Sequence, residues 1–594
     1  MKKIRNIIKT IPIEFKKKFY FIILINFLVG ILEMITIASI LPFMIVVINP
    51  DSFLNNSILV AISNYFLFEN QADFAMVMAI IIGLIASVSI CFSIFNIWLT
   101  NRFIFNLSAV LSSKLFKHYM FLDFKEFIKK PTSELIGKII LQTQRYADGV
   151  IGSFLIVFQK LSTITILTTL LLIINFKVSV LSIFVLALFY IFFYKKIKKK
   201  VSDFGLENTN LIHTRQKILQ DNLNCAKELK IYDKENLFTE IFRNLSLKFG
   251  ENIAYNRSVS SSPRYILELI IIILALVFTL YYFVAGSGKL IETVPVASIF
   301  VLSIYKIMPA AQSIFSSLSY MNSEIHAYDS FKNDLNTFQE PSRKSFINKN
   351  IKFQNIIEFK NLSFSFDDDN NNKTKILDDV SFKIKKNNII GVFGKSGSGK
   401  STLLNIISSL LYPEKGEMYV DDKKLNREDI VYFKKNIAFV TQSTMVFNDT
   451  LEKNITLYDK DIDKNQLNKS IELSGLTNFV KDLPKGLTTE IGEKGSKVSG
   501  GQLPRISIAR AIYNNRKILL LDEFTSALDP VTESNLLHYI KNLKNTTIVL
   551  STHKLEVLNF CDSVIGLKDG KLILSEEIGK NNQFSKEQFL KVYY

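Results

Sequence analysis

Two stretches near the N-terminus decide most of what this chain can become. Residues 19–50 carry Glu33 as their sole charge, and residues 74–101 carry none. Either run exceeds the roughly 20 apolar residues that a helix needs to cross a hydrocarbon core of about 30 Å. Further runs cover residues 149–176 with Lys160, 178–194 with no charge, 269–288 with none, and 293–323 with Lys306. Six transmembrane helices are predicted. A cleavable signal peptide does not account for the first run, whose apolar stretch is about twice the 7 to 15 residues of such a segment and is followed by no small-x-small site.

Orientation follows from the connections, because cytoplasmic loops carry an excess of Lys and Arg. Lys2, Lys3, Arg5, Lys9, Lys16, Lys17 and Lys18 precede the first run, whereas residues 49–73 hold no Lys or Arg. The N-terminus is therefore expected inside, and six spans return the C-terminus to the same side. The inner connections, 102–148 and 195–268, mix apolar and charged residues at helical spacing and read as helices continuing below the bilayer. The apolar segment 54–68 reads as a further partial hydrophobic loop. Hydropathy falls after Ser323, and the polar stretch from Asn333 reads as linker. The expected organisation is a transmembrane domain over 1–330, a linker over 331–355, and a second domain over 356–594.

The net charge of +18 invites a nucleic-acid reading. Much of that charge is orientation signal, and a nucleic-acid ATPase would not carry six spans. Cys91, Cys225 and Cys561 are far apart and predict neither a disulfide framework nor a metal knuckle. His118, His213, His326 and His538 sit in no constellation and are expected at the surface or in interhelical packing.

From Ile356 short apolar strands alternate with helices, as in a parallel α/β domain. An expected strand over 388–393 runs into Gly394-Lys395-Ser396-Gly397-Ser398-Gly399-Lys400-Ser401, followed by Thr402. This is a complete G-x-x-x-x-G-K-S phosphate loop. Its glycines let backbone N–H groups close on phosphate, Lys400 reaches the β and γ phosphates, and Ser401 ligates Mg²⁺. A second apolar strand, 517–521, ends in Asp522 and Glu523, so one carboxylate is placed to hold the metal and the other to orient an attacking water.

Between these motifs stands Ser499-Gly500-Gly501-Gln502, which resembles the signature of the ATP-binding-cassette ATPases. The other elements of that family occur in order. Gln442 resembles its Q-loop glutamine, a ligand to Mg²⁺; Asp529 in Ser526-Ala527-Leu528-Asp529 resembles its D-loop; and His553 resembles its switch histidine. The resemblance implies that Phe366 stacks on adenine in place of the more usual Tyr. It also implies that the signature of one copy caps the nucleotide held by Lys400 of a second, so that the working unit is a homodimer with composite ATP sites. Pro504 departs from the family pattern but falls in the first turn of the signature helix, where a missing N–H breaks no bond.

A helical membrane domain followed by a P-loop cassette resembles the half-transporters of the exporter type, with ATP and Mg as cofactors. The stretch Thr489 to Gly495 resembles the loop that meets the coupling helices in that family, and those helices are expected near 123–130 and 228–235. Charges at mid-span default to function. Here they are Glu33, Lys160 and Lys306, with Arg264 at the inner end of the fifth helix. They form either a net positive cavity suited to a pyrophosphate or a structural Glu33 pair with one snorkelling Lys. The stretches 262–268 and 300–311, with the Glu33 context, resemble bacterial lipid-linked oligosaccharide flippases of the PglK type, although Ser93 and Ser313 stand where that group would place Arg. The resemblance implies a lipid-linked glycan substrate, a bacterial inner-membrane location and a role in protein glycosylation. For the segment 54–68 it implies a helix at the outer membrane surface instead of a loop. A general exporter of lipid, drug or peptide and an ATP-gated channel or regulatory membrane protein are the alternatives.

Overall fold

The computed structural model describes residues 11–48, 71–174, 176–284, 290–337, 351–367, 373–442, 444–492, 497–526, 528–543, 545–578 and 586–593, with only some of the side chains between 176 and 304. It divides into two units, Met1–Leu122 with Ile128–Pro341, and Asp123–Phe127 with Ser342–Tyr594.

The first unit is helical. Its long elements are α1 (Ile13–Ala38), α2 (Gln71–Met120), α3 (Ser153–Ile174), α4 (Phe176–Asn224), α5 (Glu235–Val284) and α6 (Leu290–Thr337). Among the described residues three stretches are long and apolar enough to cross a membrane: Ile13–Val47, Ala72–Met120 and Thr132–Ile173. They contain the first, second and third expected spans almost entirely. The remaining three fall on α4, α5 and α6, and the segment 54–68 lies outside the described residues. With 50 residues at 1.5 Å each, α2 is about 75 Å long and far exceeds a bilayer core. This is the continuation that the mixed composition of the inner connections predicts.

The apolar surface of α1 runs all round. Phe15, Phe19, Ile22, Asn26, Val29 and Ile37 are buried, while Phe21, Leu24 and Leu28 are exposed. A helix of this kind is at home in lipid or inside a large core. One polar crossing pins it: Asn96 Nδ2 of α2 donates to Asn26 Oδ1 at 2.8 Å, and Asn26 Nδ2 reaches Leu155 O of α3 at 3.5 Å. In an apolar medium small residues and amides of this type carry the helix contacts.

Between α2 and α3 the chain passes through two π-helical turns, Gly137–Gln142 and Ala147–Gly152. The helical turn between them carries Arg145, whose Nε donates to Glu324 Oε2 of α6 at 2.5 Å and whose second nitrogen reaches Thr209 of α4 at 3.3 Å. Farther along α6, Asp334 gathers Tyr119 Oη at 2.7 Å, Lys130 Nζ at 3.1 Å and Lys138 Nζ at 3.3 Å. The polarity that reads as linker from Asn333 is therefore helix as far as Thr337. Phe331 is buried there, and the charge of Asp334 is matched within the fold rather than left to water. The inner connection 195–268 turns over at the short helix Ala226–Ile231 and re-enters α5 at Glu235.

The second unit holds two sheets. Strands β1 (Ile356–Asp367), β2 (Lys373–Lys385), β4 (Lys415–Val420) and β5 (Lys423–Lys424) form an antiparallel sheet in the order β2-β1-β4-β5. The other sheet has the order β10-β9-β3-β8-β7-β6, from β3 (Ile389–Phe393), β6 (Ile437–Val440), β7 (Ile518–Asp522), β8 (Thr547–Thr552), β9 (Ser563–Lys568) and β10 (Lys571–Glu577). It is parallel except for β9 with β10. Strands β3, β7 and β8 carry runs of Ile, Leu and Val and are buried on both faces along nearly their whole length, as the central strands of a parallel sheet must be. A separate helical core is built on Leu451, Ile455, Leu467, Ile471, Ile506 and Ala509. The turn Phe124–Phe127 belongs to this unit although it lies far away in sequence. Phe124 packs against the core that contains Phe359 and Phe364, Lys125 Nζ sits 5.4 Å over the Phe364 ring, and the same ammonium is 4.0 Å from Glu414.

Candidate functional site

In an open parallel sheet the carboxyl ends of the strands converge on one crevice, and ligands bind there. Here the ends of β3, β7 and β8 deliver Gly394, Asp522 with Glu523, and His553. The turn after β3 owes its shape to three glycines at positive φ: Gly394 at 154°, Gly397 at 82° and Gly399 at 100°. A Cβ on Gly399 would lie 2.9 Å from Leu377 Cδ2 and 3.1 Å from Ile376 O, so both space and dihedral call for glycine there. Gly399 caps helix α7 (Lys400–Ile407), whose first turn presents Ser401 and Thr402.

Lys400 is 5% exposed, and its ammonium donates to Gly394 O and Lys395 O, each at 3.0 Å, with Glu523 Oε1 at 3.5 Å. Lys395, Ser396 and Gly397 are exposed at the mouth of the loop, while Ser398 Oγ is buried without a hydrogen-bond partner. A buried ammonium held by carbonyls, an unsatisfied hydroxyl and a helix N-terminus together suit a polyanion. Gln442 Nε2 donates to Glu523 Oε2 at 3.2 Å, so Gln442, Glu523 and Lys400 form one chain of contacts.

Asp522 is held differently. Its Oδ1 accepts from Ser551 Oγ at 2.6 Å, and the same hydroxyl accepts from Glu523 N–H at 2.9 Å. Sequence reasoning missed Ser551. Its only signal is a serine, next to Thr552, two places before His553, and its relevance depends on the β7–β8 register, which sets Asp522 opposite Ser551. Among the described residues no group of three His, Cys, Asp or Glu could hold a metal. A divalent ion here would need oxygens from Ser401, Gln442 and Asp522 together with phosphate, which is the hard-oxygen ligand set that suits Mg²⁺.

The remaining predicted residues are spread around this centre. Phe366 is half-buried at the end of β1, edge-on to Phe364 with ring centres 5.0 Å apart. Ser499 and Gly500 are exposed ahead of helix α8 (Gln502–Tyr513), and the Gln502 side chain folds back to accept the Ser499 N–H at 2.9 Å. Pro504 is the third residue of α8, in its first turn as expected. Asp529 caps helix α9 (Pro530–Lys541) through Thr532 N at 3.0 Å, and hydrogen bonds from Thr532 hold its carboxyl below the usual range. Within the expected loop Ile491 and Gly492 are buried, and its last residues, 493–495, lie outside the described residues.

Three of the four charges picked out in the membrane segment sit in ion pairs. Lys306 Nζ is 3.9 Å from Glu33 Oε1, with the lysine side chain 48% exposed and the glutamate 13%. Arg264 Nε pairs with Glu268 at 2.9 Å along α5. Lys160 is half-buried on α3.

The family model for the ABC transporter transmembrane region matches residues 19–308, and the one described as ABC transporter matches residues 377–526. The chain belongs to the ABC exporters, as a half-transporter. The ATP-dependent lipid A-core flippase of Wigglesworthia glossinidia brevipalpis is 27% identical over 539 residues, 87% of each chain. A putative multidrug export ATP-binding/permease protein of Bacillus subtilis is 25% identical over 496 residues, 82% of each. A putative export ATP-binding/permease protein of Rickettsia typhi is 35% identical over 231 residues, a stretch that spans only 40% of that relative's length. A solved bacterial Atm1-family ABC exporter with ATP bound has a TM-score of 0.74 at 18% identity, covering 93% of this chain and 94% of that one, and shares the fold. The half-transporter thus has the expected fold class, a helical membrane domain followed by an α/β nucleotide-binding domain. Its cassette binds ATP, and membership of the family implies hydrolysis coupled to transport.

Proposed function

We propose that the protein is an ATP-driven flippase of the bacterial inner membrane that translocates a polyprenyl-pyrophosphate-linked oligosaccharide for protein glycosylation, working as a homodimer with both termini in the cytoplasm. The observation that carries this reading is the similarity, over 87% of each chain, to a relative named as a lipid A-core flippase, an alignment that runs through the membrane domain as well as the cassette. The half-exposed ammonium of Lys306, only loosely matched by Glu33, supports it, as does Arg264 one helix away.

In this reading residues 394–402 wrap the phosphates and Lys400 meets the β and γ phosphates. Releasing Lys400 from Glu523 frees that carboxylate to orient the attacking water. Mg²⁺ would be held by Ser401, Gln442 and Asp522, and it supplies charge neutralisation at the phosphates. Phe366 stacks on adenine, His553 senses the γ-phosphate, and Ser499 to Gln502 and Asp529 of the second copy complete the site. Residues 1–330 serve as the transmembrane domain, 331–355 as the linker and 356–594 as the cassette. The multidrug-export relative favours a second reading, general export of lipid, drug or peptide. Purified protein in proteoliposomes decides between them. ATP-dependent inward protection of a lipid-linked glycan is expected, and movement of a drug or simple phospholipid without it would overturn the flippase reading.

A further inference from the structure

We propose that Ser551 is a positioning residue for ATP hydrolysis, fixing the metal-side carboxylate and the catalytic turn with one hydroxyl. The inference rests on the roles given above to Asp522 and Glu523. Ser551 lies on β8, is 1% exposed, and stands opposite Asp522 in the parallel β7–β8 ladder and opposite Val392 in the β3–β8 ladder. It therefore sits between the strand that feeds the phosphate loop and the strand that ends in the two carboxylates.

The hydroxyl has one proton and uses it toward Asp522 Oδ1 at 2.6 Å. A hydrogen bond to an ionised carboxylate is of the short, charge-assisted kind. With Oδ1 engaged, the carboxylate plane is fixed, and Oδ2 would be the oxygen that serves a divalent ion. The oxygen lone pair of the same hydroxyl receives Glu523 N–H at 2.9 Å. Glu523 has φ of 42°, a left-handed backbone that side-chain-bearing residues avoid and that persists only when its surroundings over-determine it. The Ser551 hydroxyl is one such determinant, because it satisfies the amide that this turn directs into the sheet. The Glu523 side chain then projects from a fixed backbone toward Gln442 and Lys400. Alanine at 551 would strand a buried N–H and free the Asp522 carboxylate to rotate, whereas threonine would keep both hydrogen bonds.

The test uses full-length protein in liposomes with Ser551→Ala, Ser551→Thr and Glu523→Gln measured together. Supporting partners around metal ligands typically contribute about 10- to 100-fold in metal affinity or activity. Ser551→Ala is expected to lower ATPase kcat by about that factor and to raise the Mg²⁺ concentration for half-maximal activity about 10-fold. Binding of a fluorescent ATP analogue in EDTA should stay within about twofold of wild type, the Mg²⁺-dependent gain in that binding should shrink, and Ser551→Thr should recover both metal responses. Wild-type Mg²⁺ dependence in Ser551→Ala would overturn the proposal. So would loss of metal-free nucleotide binding, which would mark a residue that only holds the sheet together. If Glu523→Gln itself left turnover unchanged, the underlying site reading would fail. If Glu523→Gln abolished turnover while Ser551→Ala did not, only the Ser551 inference would.

Discussion

At the scale of single residues, the phosphate loop separates two reasons for a glycine. Gly399 needs both a positive φ and empty space, whereas Gly397 at 82° needs only the dihedral, since a Cβ there meets nothing within 4 Å. Gly399→Ala is therefore expected to destabilise the cassette by more than the roughly 1–2 kcal/mol that a left-handed conformation costs an L-residue. Gly397→Ala should stay within that range. Thermal unfolding of the two variants measures the difference, and equal shifts would contradict the assigned crowding by Leu377 and Ile376. At this scale the sequence was highly legible. Every residue of the phosphate loop, and the Asp522-Glu523 pair, is placed by motif spacing alone. What spacing could not supply is how groups meet across strands: Ser551 reaches Asp522 only through the register of β7 on β8, and Lys400 reaches Glu523 across the crevice.

At the scale of elements, the inner extension of the membrane unit is tied by charge. Burial alone would push the Asp334 carboxyl up. Hydrogen bonds from Tyr119 and Lys130 and the charge of Lys138 outweigh that and hold it below its ordinary value. A depressed carboxyl contributes stability that is present above its unfolded value of 3.8 and is lost as pH falls through the folded one. Thermal stability of wild type should exceed that of Asp334→Asn most at neutral pH, and the gap should narrow as pH drops below about 5. A gap independent of pH would contradict the assignment. Hydropathy could not foresee this element. Asp334 reads as linker because its charge is visible in the sequence, while the three partners that allow it to be buried lie some 200 positions earlier. The membrane helices show the opposite case, since an uncharged run announces a span without any knowledge of its partners.

At the scale of the whole molecule, a site completed by the signature of another copy can be tested by mixing. Lys400→Ala disables the phosphate loop, and Ser499→Arg disables the signature. Each alone should abolish turnover in a homodimer. Co-expressed with separate tags and purified as the mixed dimer, the two variants place both lesions at one site and leave the other whole. The mixed dimer should regain a measurable part of wild-type ATPase, and a mixed dimer as inactive as either parent would argue against a composite site.

The short turn at Asp123–Phe127 carries a consequence for how such a protein can be rebuilt. Because Phe124 and Lys125 complete the surface around Phe364 and Glu414, the nucleotide-binding unit has no single starting point on the chain. A chimera that exchanges everything after the linker would transplant most of that unit and leave five of its residues behind in the host. Compatibility between a foreign cassette and this membrane domain would then be set less by the junction near 342 than by whether the incoming β1 accepts a phenylalanine and a lysine from a segment more than two hundred residues upstream.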